Sequence, residues 1–149
     1  EIWSRLVGSE MCIRDSNLTE DDKIILDQYS KYYDDLVKYS DNQDVNSYIN
    51  FIVEQLFSAN KYFNDQEPWK KKNDKLRMNT IIYVSLELIR KVTILLYPII
   101  PSSSLKVLGI FGINEEKINF ETIKENNYLK KGLKLNKLDI LFKKIKKND

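Results

Sequence analysis

Histidine is missing from this chain altogether, and with it go the usual general base, a usual catalytic-triad member and the commonest metal ligand. The single cysteine, Cys12, forms no intramolecular disulfide, and without a second cysteine or any histidine it builds no structural zinc site. Such cysteine usage suits a reducing compartment, so the cytoplasm is the expected location. Four glycines and three prolines in 149 residues supply too little turn chemistry for an all-β fold, and no glycine-rich phosphate loop is present. The most apolar stretch, Val92 to Ile100, is bordered by Arg90 and Lys91. It is far shorter than the roughly 20 apolar residues that cross a bilayer, so no membrane is expected as a partner.

What is present suits one helical domain. The chain is 42% hydrophobic and 11% aromatic, ample for a single packed core, and its runs of Leu, Ile, Lys and Glu favour helix. Net charge is only +2, but residues 1–67 hold 6 Lys/Arg against 14 Asp/Glu, whereas residues 68–149 hold 18 against 8. The second part therefore carries the field that a phosphate backbone would feel. Pairing of oppositely charged helices explains the same asymmetry.

Residues 1–16 break from the Asn-, Lys-, Ile- and Tyr-rich remainder. Val7 to Ser16 resembles translated sequencing-adapter read-through, so 1–16 is set apart as a non-native lead-in and 17–149 is taken as the domain; a short amphipathic lead-in is the alternative. Thr19 with Asp22 reads as a capping box opening a helix over 20–40, with Ile25, Tyr29, Tyr32, Leu36 and Tyr39 inward. Asp44 caps a second helix over 44–65, whose stripe is Val45, Ile49, Ile52, Leu56, Ala59 and Phe63. The tyrosines, at helical spacing, are expected in the core with their hydroxyls at its rim. Asn73 or Asp74 caps a third helix over 74–98, apolar on nearly all sides and hence the buried centre, with Leu88, Val92 and Leu95 on its inward line. Ser102 to Ser104 cap a short helix over 102–109, stopped by Gly109 and Gly112. A polar connector with one short turn follows over 114–125. Leu133 through Ile145 then reads as an extended return, giving an all-α antiparallel bundle with a C-terminal extended segment.

Between the second and third helices lies Asn60-Lys61-Tyr62-Phe63-Asn64-Asp65-Gln66-Glu67-Pro68-Trp69-Lys70. Pro68 lacks an amide hydrogen and pushes Glu67 from helical angles, so the second helix cannot pass Glu67 and Trp69 falls on the corner. A corner tryptophan followed by Lys70, Lys71 and Lys72 suits stacking on an unpaired base with cations beside it. An aromatic plug between helices is the other reading of the same residue.

The order Asn60-x-Tyr62, Pro68-Trp69, Ile82 to Arg90, Leu95 to Pro101, Lys106 to Gly109 and Gly132 to Ile145 resembles the anticodon-binding domain of methionyl-tRNA synthetases over roughly residues 20–145. The resemblance implies a helical domain without catalytic residues. Trp69, with Pro68, Asn60 and Tyr62, would meet the anticodon of tRNA(Met), and Lys61, Lys70 and Lys71 its phosphates. It also implies a C-terminal piece that does not aminoacylate by itself, lacking the N-terminal catalytic domain with its histidine-containing ATP signature. This piece would hold no cofactor, whereas the full-length enzyme uses ATP and Mg. An upstream helix bearing further base-reading residues is not found here. Two alternatives stay open: a helical protein-interaction module built on the Trp69 corner, and the anticodon domain of a related class I synthetase.

Overall fold

The computed structural model describes residues 18–130, 135 and 141. Helix α1 spans Glu20–Lys31, α2 Tyr33–Asp41, α3 Val45–Gln66, α4 Lys75–Leu96 and α5 Pro101–Ile110, with 3-10 turns at Pro68–Lys70, Glu115–Lys117 and Phe120–Lys124. Among the described residues there is no strand, and no helix is long and apolar enough to cross a membrane. The all-α expectation holds. The 1–16 lead-in lies outside the described residues, as does the C-terminal return apart from Leu135, which is buried, and Leu141, which is half-buried.

Local chemistry explains most boundaries. The Thr19 amide donates to Asp22 Oδ2 at 2.9 Å, Asp44 accepts from the Ser47 amide at 3.1 Å, and Asp74 accepts from the Arg77 amide at 3.0 Å, each satisfying a helix-start group. The helix expected over 20–40 is instead two. Tyr32 takes φ −101° and ψ 7°, which ends α1, and its ring packs edge-on to Phe51 of α3 at 5.8 Å. At α5 the expected serine cap is also corrected: Ile100 precedes the helix and Pro101 occupies its first turn, where the missing amide hydrogen costs nothing. Ser104 is buried inside the helix. The chain then turns at Gly112, whose φ of 71° favours glycine. The connector beyond it forms two 3-10 turns rather than one.

The largest departure is on α3. Its inward residues are Tyr48, Phe51, Ile52, Gln55 and Tyr62, whereas Val45, Ile49 and Leu56 of the expected stripe are exposed. The buried face is rotated by less than one residue step, since Ile52 is shared and Ala59 and Phe63 still pack against the core. Because α3 is apolar on two adjacent faces, periodicity cannot choose between them, and the neighbours α2 and α4 take the Tyr48–Ile52–Tyr62 side.

Helix α4 is the centre, as its composition predicts. Leu88, Val92 and Leu95 are at most 3% exposed. Less expected is that Glu87, Arg90 and Lys91 are buried with them. Glu87 Oε1 accepts from the Tyr83 hydroxyl and the Leu129 amide, while Oε2 takes Arg90 Nε at 2.8 Å. Arg90 Nη2 donates to the carbonyls of Thr122 and Glu125, both at 3.0 Å, and its guanidinium lies 4.5 Å from the centre of the Tyr128 ring. Lys91 Nζ donates to the Leu26 carbonyl of α1 at 3.0 Å and to Asn126 Oδ1. These three charges, which read in sequence as interruptions of an apolar helix, fasten α1 and residues 122–129 to α4.

Two measurements follow. Leu88→Ala should cost about 2–5 kcal/mol in urea unfolding; a loss below about 0.5 kcal/mol would remove α4 from the centre. Lys91 is pushed down to about 8 by burial and then by Arg90, against the pull of Glu87, Asp27 and Glu125. A lysine depressed in the folded state binds fewer protons there than in the unfolded chain, so stability should rise as pH climbs from about 8. Above pH 10 the tyrosines raised by burial, Tyr29, Tyr48 and Tyr62, work the other way. Unfolding free energy between pH 8 and 10 should therefore slope upward and flatten in Lys91→Met; an unchanged slope in that variant would contradict the assignment.

Candidate nucleic-acid interface

The corner is built by a backbone that cannot continue. Helix α3 ends at Gln66, Glu67 takes φ 44° and ψ 58°, and Pro68 opens the 3-10 turn that carries Trp69 and Lys70. A left-handed glutamate is strained by about 1–2 kcal/mol. Its carboxylate meets Lys70 Nζ at 2.7 Å. Pro68 is buried and acts as the wedge between α3 and α4. Trp69 is half-buried, its ring centre 5.8 Å from that of Phe63 and tilted by 55°, so one face leans on α3 and the indole keeps an accessible part.

The other proposed residues divide. Asn60 is exposed, one helical turn before Phe63, on the outer side of α3. Tyr62 is 7% exposed and its hydroxyl donates to Asp22 Oδ1 at 2.5 Å. Here the expectation that Tyr62 meets a ligand is corrected: residues two apart on a helix lie about 200° from each other, so Asn60 and Tyr62 cannot address one ligand together. Tyr62 holds the corner from beneath.

Of the three lysines, Lys61 pairs with Asp65 one turn on and Lys70 with Glu67. Both pairs are solvent-exposed, worth about 0–1 kcal/mol, and can be exchanged for a phosphate. Lys71 is half-buried and, with the exposed Lys72, enters no ion pair among the described residues. The arrangement offers one aromatic face followed in sequence by Lys70, Lys71 and Lys72, and one exposed amide, a surface for stacking and backbone attraction rather than bond-making; Lys61, two residues from Phe63, lies about 200° around α3 from the ring on which Trp69 leans. Among the described residues no group of His, Cys, Asp and Glu is placed to hold a metal.

Residues that the sequence argument passed over sit just below this surface. Asp22, Arg77 and Gln66 join Tyr62 in a hydrogen-bonded cluster, and only the capping pattern around Asp22 signalled any of it. A separate concavity lies elsewhere. A cavity of about 700 Å³ opens among Tyr33, Leu36, Tyr48, Leu95, Phe120 and Ile123, at the far end of α3, roughly 30 Å from the corner at 1.5 Å per residue. Its walls are mainly apolar, and the Tyr48 hydroxyl there is already bonded to the Leu95 carbonyl at 2.8 Å.

A helical bundle with an aromatic corner among lysines defines a helical anticodon-binding domain once the relatives are considered. The family model described as the anticodon binding domain of methionyl tRNA ligase matches residues 8–149, and the chain belongs to that family. The matched span begins inside the lead-in. A methionine–tRNA ligase of Brucella suis biovar 1 (strain 1330) is 37% identical over 106 residues, covering 70% of this chain and 21% of the relative. That of Rickettsia conorii (strain ATCC VR-613 / Malish 7) is 31% identical over 121 residues, covering 80% and 24%. Among solved structures, Mycobacterium tuberculosis methionyl-tRNA synthetase in complex with methionyl-adenylate superposes with a TM-score of 0.83 at 22% identity, over 96% of this chain and 28% of that one. Its apo form gives 0.80 at 23%, over 91% and 28%. At such identity these two speak for the fold alone. The chain thus spans about a quarter of the relatives it matches, and the match to methionine ligases removes the alternative of a related class I synthetase.

Proposed function

We propose that this chain is the part of a methionine–tRNA ligase that tests the anticodon of tRNA(Met), with Trp69 as the stacking platform and Asn60 as an edge reader beside it. The observation that carries the reading is the half-buried Trp69, set on Phe63 by a left-handed residue and a buried proline. An aromatic plug needs neither a strained backbone nor a run of lysines beside it, whereas a platform gains orientation from the first and phosphate attraction from the second. Lys71 is the cation best placed to take a phosphate, with Lys70 joining after exchange of its carboxylate; Lys61, about 200° around α3 from Phe63, is the least well placed of the three. Attachment of methionine to tRNA, with ATP and Mg, belongs on this reading to the remainder of the ligase, in the cytoplasm, and this chain supplies no catalytic residue.

A second surface favours protein. On the outer side of α3, Val45, Ile49, Val53, Leu56 and Phe57 are all exposed, Phe57 by 71%, and along α3 only Glu54, Lys61 and Asp65 are charged. A nearly uncharged, apolar helix face of this length is the composition of a covered one. The occupant we assign is the rest of the ligase polypeptide, since the chain spans only 21% of the Brucella relative. This contact, within one enzyme and on α3, is distinct from an interaction module built on the Trp69 corner.

Fluorescence anisotropy of a dye-labelled methionine anticodon stem-loop titrated with the chain, against a scrambled-loop control, tests the first proposal. Trp69→Ala should weaken the cognate loop by about 1–3 kcal/mol and leave stability nearly unchanged. Lys71→Ala, and to a lesser degree Lys70→Ala, should weaken all loops alike and lower the salt dependence. Unfolding by Trp69→Ala, or unchanged binding, would return Trp69 to a plug. For the second proposal, Phe57→Glu should change the stability of this chain within about 0.5 kcal/mol and lower the melting temperature of a whole ligase carrying it. An unaltered whole enzyme would leave the α3 face without its assigned occupant.

A further inference from the structure

The aspartates at three helix starts do different work. Asp44 and Asp74 are exposed, and each accepts one amide hydrogen from its own helix. Asp22 makes the corresponding bond with the Thr19 amide, yet it is 0% exposed. Its two oxygens also take the Tyr62 hydroxyl from the last turns of α3 and both terminal nitrogens of Arg77 from the first turn of α4. Arg77 Nη2 donates further to Gln66 Oε1, on the final residue of α3, at 2.6 Å. A cap needs none of these additional donors, and burying a carboxylate is tolerated only where its oxygens are satisfied.

The position of this cluster matters. Tyr62 and Gln66 stand on one stem of the 67–74 segment and Arg77 on the other, while Asp22 comes from a third helix. We infer that Asp22 is a positioning residue for the corner: by holding Tyr62 and Arg77 on one carboxylate it fixes the spacing of the two stems, and with it the direction in which Trp69 presents its ring. Apolar packing alone would bury the same stems but leave them free to slide, whereas a bidentate guanidinium–carboxylate pair has one geometry. The charge is held in place electrostatically. Burial alone would raise the Asp22 carboxyl, but the hydrogen bonds from Arg77, Tyr62 and the Thr19 amide, with the Arg77 charge, bring it below the usual aspartate value. The consequence for RNA rests on the proposed role of Trp69; the consequence for the segment does not.

The test uses the whole chain in a Trp3→Phe background, which leaves Trp69 as its one tryptophan. Asp22→Asn keeps the shape and removes the charge. The expected result is an intact helical spectrum, amide exchange over 67–74 faster by roughly tenfold with residues 88–95 unaffected, and a shifted Trp69 emission. Affinity for the methionine anticodon stem-loop should fall roughly 3- to 30-fold, with no further loss when Asp22→Asn is added to Trp69→Ala. Tyr62→Phe and Arg77→Lys each remove one arm, should give smaller versions of the same pattern, and carry the test if Asp22→Asn does not fold. Unchanged exchange over 67–74 with unchanged emission overturns the inference, as does exchange that rises equally throughout the bundle. If Trp69→Ala leaves RNA binding intact, the anticodon reading fails, and the clamp still stands or falls on exchange and emission.

Discussion

The bundle depends on how α4 disposes of three charges inside its own core. Glu87, Arg90 and Lys91 are all at 0% exposure, and an unpaired charge at such a depth would cost several kcal/mol. Each is satisfied by a different region: Glu87 by Tyr83, Arg90 and the Leu129 amide, Arg90 by Thr122 and Glu125, Lys91 by Leu26 and Asn126. Glu87 and Arg90 pair with each other, so neither can be withdrawn without leaving the other short of a partner. The requirement places the irregular 122–129 segment against α1 and α4, where propensity alone would leave it loose. Ile123, at 0% exposure, then closes the core beside it.

A second buried charge organises the N-terminal end of α4. Around Asp22 the same logic joins three helices, and the corner with Trp69 stands on top. The two clusters share a design: a carboxylate or cation from one helix satisfies groups of elements distant in sequence, so apolar packing supplies the bulk of stability and the polar groups select one arrangement of the helices. Between them α4 is largely apolar, from Ile81 to Leu86.

Much of this is legible in the sequence. Asp44 as a cap, a cap at Asn73 or Asp74, the stop at Pro68 and the burial of Leu88, Val92 and Leu95 follow from local rules that tertiary context does not overturn. The inward face of α3 did not follow, because Ile49 and Leu56 on one side and Tyr48 and Gln55 on the other fit the same period, and only the neighbours decide. Nor did the break at Tyr32, which no proline or glycine announces. At the corner, Pro68 and Trp69 were readable as a pair, but the inward turn of Tyr62 was masked by treating Asn60-x-Tyr62 as one motif when a helix sends its ends apart. Asp22 was visible as a cap and invisible as a clamp, since partners 40 and 55 residues away leave no local trace.

Glu67 carries a consequence for any anion that approaches the corner. Its left-handed backbone would suit glycine better, yet a glutamate stands there with its carboxylate on Lys70. Lys70 thus already possesses a counterion, one tethered to the same turn. A phosphate arriving at Lys70 displaces a carboxylate that cannot diffuse away, instead of liberating free ions into bulk solution, and so forfeits part of the entropy that normally drives polyanions onto cationic surfaces. The residue makes that encounter an exchange with a resident competitor, tethered three residues away.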